Sequence, residues 1–192
     1  MSKTWFTADL HLFHKNILRF CPKTRPEKNS NDMSAFLAIS WNKQVQPDDE
    51  VYILGDICLG DLDLTRGLLD RMNGKFHLIK GNHDTSKMLA ILAYRFKTIQ
   101  DYKKLYIGRQ KFILFHYPIL EWDTMHHGAI HLFGHVHGKP MNIEGKCMDV
   151  GMDTRPGYKL YSVEEIMRKM ENKEIKSHHD RKREQERRSF SS

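Results

Sequence analysis

The chain is poor in cysteine, with only Cys21, Cys58 and Cys147 among 192 residues, all far apart in sequence. That scarcity excludes a disulfide framework and a zinc ribbon, and it leaves three reduced thiols. No apolar run approaches the length of a membrane-spanning helix, so no membrane partner is expected. Met1 to Leu10 carries one lysine and then a strand-like pattern instead of the apolar core of a signal peptide. The expected compartment is therefore the cytoplasm. Internal repeats and low-complexity linkers are absent as well. What remains is the composition of an ordinary soluble protein, 40% hydrophobic and 29% charged, long enough for one domain with a real core.

Histidine and positive charge are plentiful: twelve histidines and a net charge of +7. The charge is uneven. From Arg168 to Ser192, nine Lys/Arg stand against five Asp/Glu, so this stretch holds +4 of the total. The reading divides the chain into a domain over residues 1–170 and a basic C-terminal tail over 171–192. Such a tail either contacts a polyanion or is simply a solvated mixed-charge end.

Short β-branched and aromatic runs predict strands at Lys3–Ala8, Val51–Leu54, Phe76–Ile79, Lys104–Ile107, Lys111–Phe115, Ile130–Phe133 and Cys147–Val150. Gly108 to Gln110 reads as a hairpin turn. Helices are predicted from near Asp32, over Asp61–Met72, over Thr85–Tyr94, and from Ser162, which stands three residues before Glu165 as in a capping box. Strand and helix alternate in the first half, whereas strands dominate the second. That suggests a pair of mixed sheets flanked by helices.

Five segments bear the chemistry: Asp9-Leu10-His11, Gly55-Asp56, Gly81-Asn82-His83-Asp84, His116, and Gly134-His135-Val136-His137. Four follow an apolar run typical of a buried strand, and one follows a shorter, mixed run. Strand ends would deliver these side chains to one sheet edge. Residues i and i+2 of an extended segment face the same way, so Asp9 and His11 are expected to reach one ion, and His135 and His137 repeat that spacing between Gly134 and Gly138. A carboxylate such as Asp56 has two oxygens and can bridge two cations. Carboxylate, amide oxygen and imidazole, without thiolate, suit two adjacent divalent ions, the usual means of cutting phosphate esters. Singly, each piece is weak; the joint occurrence is not.

In this order the segments match D-x-H, G-D, G-N-H-D, a lone H and G-H-x-H. The chain thus resembles the calcineurin-like metallophosphoesterase superfamily. Asp9 to Ile17 and Trp41-Asn42 resemble its small bacterial and bacteriophage phosphoesterases. The resemblance implies an α/β fold, a four-layer α-β-β-α sandwich of two mixed sheets flanked by helices. It implies one ion held by Asp9, His11, Asp56 and His137. A second would be held by Asp56, Asn82, His116 and His135. The matching histidine, His83, would contact phosphate as general acid, with Asp84 orienting it. The expected reaction is attack by a water activated between the ions. Mn is the favoured metal, with Fe, Zn, Ni and Co suited to the same donors.

For substrate contact the candidates are His14 and Asn16 beyond the first segment, and Trp122, His126 and His127 in the loop after His116. Trp122 either stacks on a base or folds into the core. Arg19 and Arg25 read as solvated in preference to anion contacts. The leading function is hydrolysis of small phosphodiesters or nucleotides. A nuclease aided by the basic tail is the alternative, and a non-catalytic metal-binding module is a third. The sequence leaves the oligomeric state open.

Overall fold

The computed structural model describes residues 2–175. The greater part of the basic tail, residues 176–192, lies outside the described residues. In chain order the elements are β1 (Thr4–Thr7), α1 (Ile17–Phe20), α2 (Ser30–Gln44), β2 (Glu50–Ile53), α3 (Leu62–Leu69), β3 (Lys75–Ile79) and α4 (Ser86–Leu92). There follow β4 (Phe96–Gln100), β5 (Tyr102–Ile107), β6 (Gln110–Phe115), β7 (Ile130–Phe133), β8 (Cys147–Asp149), β9 (Tyr161–Ser162) and α5 (Val163–Met170).

Two mixed sheets result. The first has the order β4-β3-β2-β1-β9 and the second β5-β6-β7-β8. β1, β2, β3 and β4 run parallel, with β9 antiparallel on β1. β6, β7 and β8 run parallel, with β5 returning antiparallel through the turn at Gly108-Arg109.

Alternation along each strand assigns the two faces. Val51 and Ile53 of β2 face α2, α3 and α4, where Leu37, Trp41 and Leu69 are fully buried. Tyr52 and Leu54 face the second sheet and join Phe6, Phe112, Leu114 and Leu132 between the sheets. α5 closes this inter-sheet core with Ile166 and Met170, and its cap Ser162 accepts the Glu165 N–H. Ile113 and Phe133 point to the far face of the second sheet, under the loop that carries Trp122 and Met125.

His131 sits fully buried beneath that loop. Its Nδ1 lies 3.1 Å from the Ile113 carbonyl and its Nε2 accepts the Ile119 N–H at 3.3 Å. This pairing needs the neutral ring. Burial, against weaker opposing hydrogen bonds, pushes its pKa from 6.5 to about 4. The unfolded chain therefore binds a proton that the folded chain refuses between those values, so stability falls as pH drops from 6.5 towards 4. The loss amounts to about 3 kcal/mol at most. His131→Gln is expected to flatten that part of the stability–pH curve in urea titrations. An unchanged slope would contradict the assignment.

Candidate metal centre

Parallel strands place their carboxyl ends on one edge of a sheet, the usual location of a ligand crevice. Asp9 and His11 follow β1, Asp56 follows β2, Asn82 follows β3, His116 follows β6, and His135 and His137 follow β7. The structure brings these seven side chains together. Ligand atoms of Asp9, His11 and His137 all lie within 4.8 Å of one another, as do those of Asp9, Asp56 and His116. Asp56 Oδ2 stands 3.7 Å from His11 Nε2 and 3.6 Å from His116 Nε2. Asn82 Oδ1 is 3.0 Å from His116 Nε2 and 3.1 Å from His135 Nδ1.

The route by which they meet differs from the extended segments expected. Asp9 has φ 56°, His11 47°, Asp56 59°, His135 70° and His137 51°. These are left-handed conformations, each costing a non-glycine residue roughly 1–3 kcal/mol and concentrated where function demands them. Tight curls, not extended backbone, aim these side chains. Glycines admit the close approach. A Cβ on Gly81 would stand 2.3 Å from Asp56 Oδ1, and one on Gly134 would stand 2.4 Å from the Ala8 Cβ.

Hydrogen bonds hold the strained backbone. The Asp9 carboxylate accepts the His135 N–H at 2.9 Å. Asp84 accepts the N–H groups of Gly81 at 2.8 Å, Asp56 at 2.9 Å and Ile57 at 3.0 Å. Its carboxylate thus ties two loops together instead of orienting the His83 imidazole, which corrects the expected role of Asp84. Arg25 is a second correction. Far from solvated, it is 1% exposed. Its guanidinium donates to the Asp9 carbonyl at 2.6 Å and the Leu10 carbonyl at 2.9 Å, and it grips both oxygens of Asp153 at 2.8 and 2.9 Å. Asp153 Oδ2 lies 2.7 Å from His137 Nδ1. Burial acts to raise the Asp153 pKa, but the bonds from His137 and Arg25 and the Arg25 charge hold it well below the usual carboxylate range.

Asp153 was missed in the sequence, although it follows a predicted strand and a glycine, as Asp56 does, with Met152 between. Arg25 carries no such signal. Cys21 also comes near His137 and Asp153, but both oxygens of Asp153 are committed to Arg25, and burial pushes the Cys21 thiol up to about 11.

The residues fit divalent ions on the evidence of His11. It is 2% exposed, and both of its ring nitrogens are buried without a hydrogen-bond partner. Burial, then the Arg25 charge and neighbouring histidines, lowers its pKa to about 2, so the ring is neutral. An unpaired buried polar group ordinarily costs about 1–3 kcal/mol. A cation accepting the imidazole lone pair would offset that cost. Burial, followed by the charges of Asp149 and Asp56, pushes the Asp9 pKa well up, which marks a site that favours an added positive charge.

His83 is half-buried, with its ring 5.8 Å from that of His11, and its backbone N–H donates to Asp56 Oδ1 at 3.0 Å. The His14 ring is 5.5 Å from that of His11, and its buried Nδ1 has no partner. Asn16 is exposed, and its side chain makes no capping bond to α1. Trp122 resolves to the core alternative: it is 7% exposed, donates its indole N–H to the Ala129 carbonyl at 2.8 Å and packs on His131. It has no face free for a base, so its substrate-contact reading is corrected. His126 and His127 lie exposed on the turn Met125–His127, ring against ring at 4.4 Å. The aromatic that does reach the site is Tyr117, missed in the sequence, with its ring 4.8 Å from that of His135.

Two mixed sheets that present this carboxylate–imidazole edge define a metallophosphoesterase. The family of calcineurin-like phosphoesterases matches residues 2–180, and the chain belongs to it. An uncharacterized protein of Methanocaldococcus jannaschii is 30% identical, over 91% of this chain and 95% of its own length. The gene 66 protein of Mycobacterium phage L5 is 28% identical, over 80% of this chain and 87% of its own length. A crystal structure of a protein of unknown function from Aquifex aeolicus superposes with a TM-score of 0.67 at 24% identity, covering 88% of this chain and 99% of that one. The last likeness concerns the fold alone. Among the described residues, no helix is long and apolar enough to cross a membrane.

Proposed function

We propose that the protein hydrolyses phosphate esters, small phosphodiesters or nucleotides, at a centre of two divalent ions, with His83 as the general acid. One observation carries the reading. A buried neutral imidazole, His11, has two unpartnered nitrogens at the point where Asp9, Asp56 and His137 converge. Asp9, His11, Asp56 and His137 would hold one ion, and Asp56, Asn82, His116 and His135 the other. Mn is the proposed metal, and Fe, Zn, Ni and Co suit the same donors. When bound, such ions supply Lewis acidity that lowers the pKa of water and offsets charge on phosphoryl oxygens. The chain's own contribution is orientation and proton transfer. His83 gives a proton to the departing oxygen. His14 and Asn16, unpaired on the first loop, orient the ester. Arg25 and Asp153 fix His137 and the Asp9 backbone.

A screen with Mn²⁺ against bis-p-nitrophenyl phosphate, p-nitrophenyl phosphate, cyclic nucleotides and DNA tests this reading. Turnover of small diesters or nucleotides that a chelator abolishes is expected. No hydrolysis of any ester would sink it.

The tail enters as a separate expectation. Lys173 donates its ammonium to the Cys147 carbonyl at 2.5 Å, so the cut belongs after Ile175. Removing residues 176–192 is expected to leave hydrolysis of p-nitrophenyl esters intact. If the tail binds polynucleotide, its removal would also flatten the salt dependence of that binding. A folded truncation that lost small-ester turnover would contradict the expectation.

A further inference from the structure

An open cavity of about 480 Å³ has His83, the residue that follows Asn82, in its wall. Its volume lies within the ordinary range of small-molecule pockets, roughly 300–1,000 Å³. Leu59, Met88 and Ile91 give it an apolar lining, and Asp61, Asp63 and Lys87 give it charge. The two carboxylates outnumber the single ammonium. Asp61 is fixed in place, because its Oδ1 accepts the Leu64 N–H at 2.9 Å as the cap of α3. Leu59 is 38% exposed although large and apolar.

We propose that this cavity receives the leaving group, so that the preferred substrates are phosphate esters of an uncharged, partly apolar alcohol of aryl or nucleoside size. The inference rests on the phosphoesterase reading above. Water forms the new bond to phosphorus in line as the ester P–O bond breaks. The electron pair of that bond goes to the leaving oxygen, which takes its proton from the His83 imidazole. The proton lost by the attacking water passes to solvent, and solvent reprotonates His83. The leaving oxygen must therefore lie against His83, and the group it carries extends into the space that His83 walls. There an apolar body is favoured by Leu59, Met88 and Ile91. A further phosphate on the leaving group that came against the Asp61 and Asp63 carboxylates would be repelled by them, which disfavours a polynucleotide there.

Two variants test the inference on the Mn²⁺-loaded full chain. Leu59→Trp narrows the cavity at a part-exposed position. It is expected to raise KM for bis-p-nitrophenyl phosphate about tenfold, the scale of a steric mismatch in an apolar pocket. The inhibition constant of inorganic phosphate, which has no leaving group, should stay unchanged. Asp63→Asn should shift the ratio of kcat/KM between nitrophenyl esters with uncharged and carboxylate-substituted leaving groups towards the charged ester. Comparing that ratio in parent and variant cancels intrinsic reactivity. An unchanged KM in Leu59→Trp, or a parallel rise in the phosphate inhibition constant, would overturn the assignment of the cavity. An unmoved ratio in Asp63→Asn would overturn its charge selectivity. A parent protein that turns over no ester would instead overturn the phosphoesterase reading itself.

Discussion

Asp56→Asn is expected to empty both metal positions and to lower turnover by about a thousandfold or more, the loss of several kcal/mol of charge stabilisation. Asp56 Oδ2 stands almost equally far from His11 and His116, one imidazole from each proposed ligand group. An amide offers a single oxygen and no charge, so neither ion retains the shared anion. His83→Ala should behave differently. It leaves the ligand atoms in place, keeps the metal and lowers turnover by about 10²–10⁴, the usual contribution of a positioned acid. The deficit should shrink for esters whose leaving group is acidic and needs little protonation. Metal titration with parallel kinetics decides between the two roles. Equal metal loss in both variants would contradict the assignment.

Arg25→Leu is expected to cost the metal-free protein about 3–5 kcal/mol, the penalty for leaving a buried carboxylate without its partner. In a chain of this size that is a fall of roughly 10 °C or more in Tm. The guanidinium is nearly inaccessible and makes four oxygen contacts, two to the carboxylate of Asp153 and two to the carbonyls of Asp9 and Leu10. Arg25→Lys keeps the charge but cannot reproduce the fork, so a smaller loss of stability should accompany weakened metal retention. Thermal unfolding in chelator, followed by metal titration, measures both effects. A shift of only a degree or two in Arg25→Leu would show that Asp153 is satisfied by His137 and by the Thr24 hydroxyl, which donates to its Oδ1 at 2.7 Å, alone.

The strands that carry the converging side chains were legible because four of the five are apolar runs, most of them closed by a turn residue. The two strands missed had no such signal. Phe96–Gln100 has only Phe96 and Ile99 as apolar residues, without period-two alternation, and Tyr161–Ser162 is two residues long. Both are strands only because a neighbour pairs with them. The seven side chains that converge were readable from their order along the chain, but the geometry by which they meet was not. Positive φ at Asp9, His11, Asp56, His135 and His137 goes with long-range hydrogen bonds, such as those of the Asp9, His11, Asp56 and His135 N–H groups, that no local pattern encodes. Arg25 is the sharpest case. An arginine among Lys23, Thr24 and Pro26 reads as surface, and only the arrival of Asp153, 128 positions later, makes its burial tolerable. Trp122 was undecidable for the same reason: its partners, Ala129 and His131, are set by the packing of the second sheet.

Anomalous diffraction from crystals grown with Mn²⁺ locates the metal without reference to activity. Two peaks about 3.5–4 Å apart are expected, astride Asp56, one beside His11 and His137 and the other beside Asn82, His116 and His135. A single peak, or two peaks that do not share Asp56, would contradict the proposed two-ion centre.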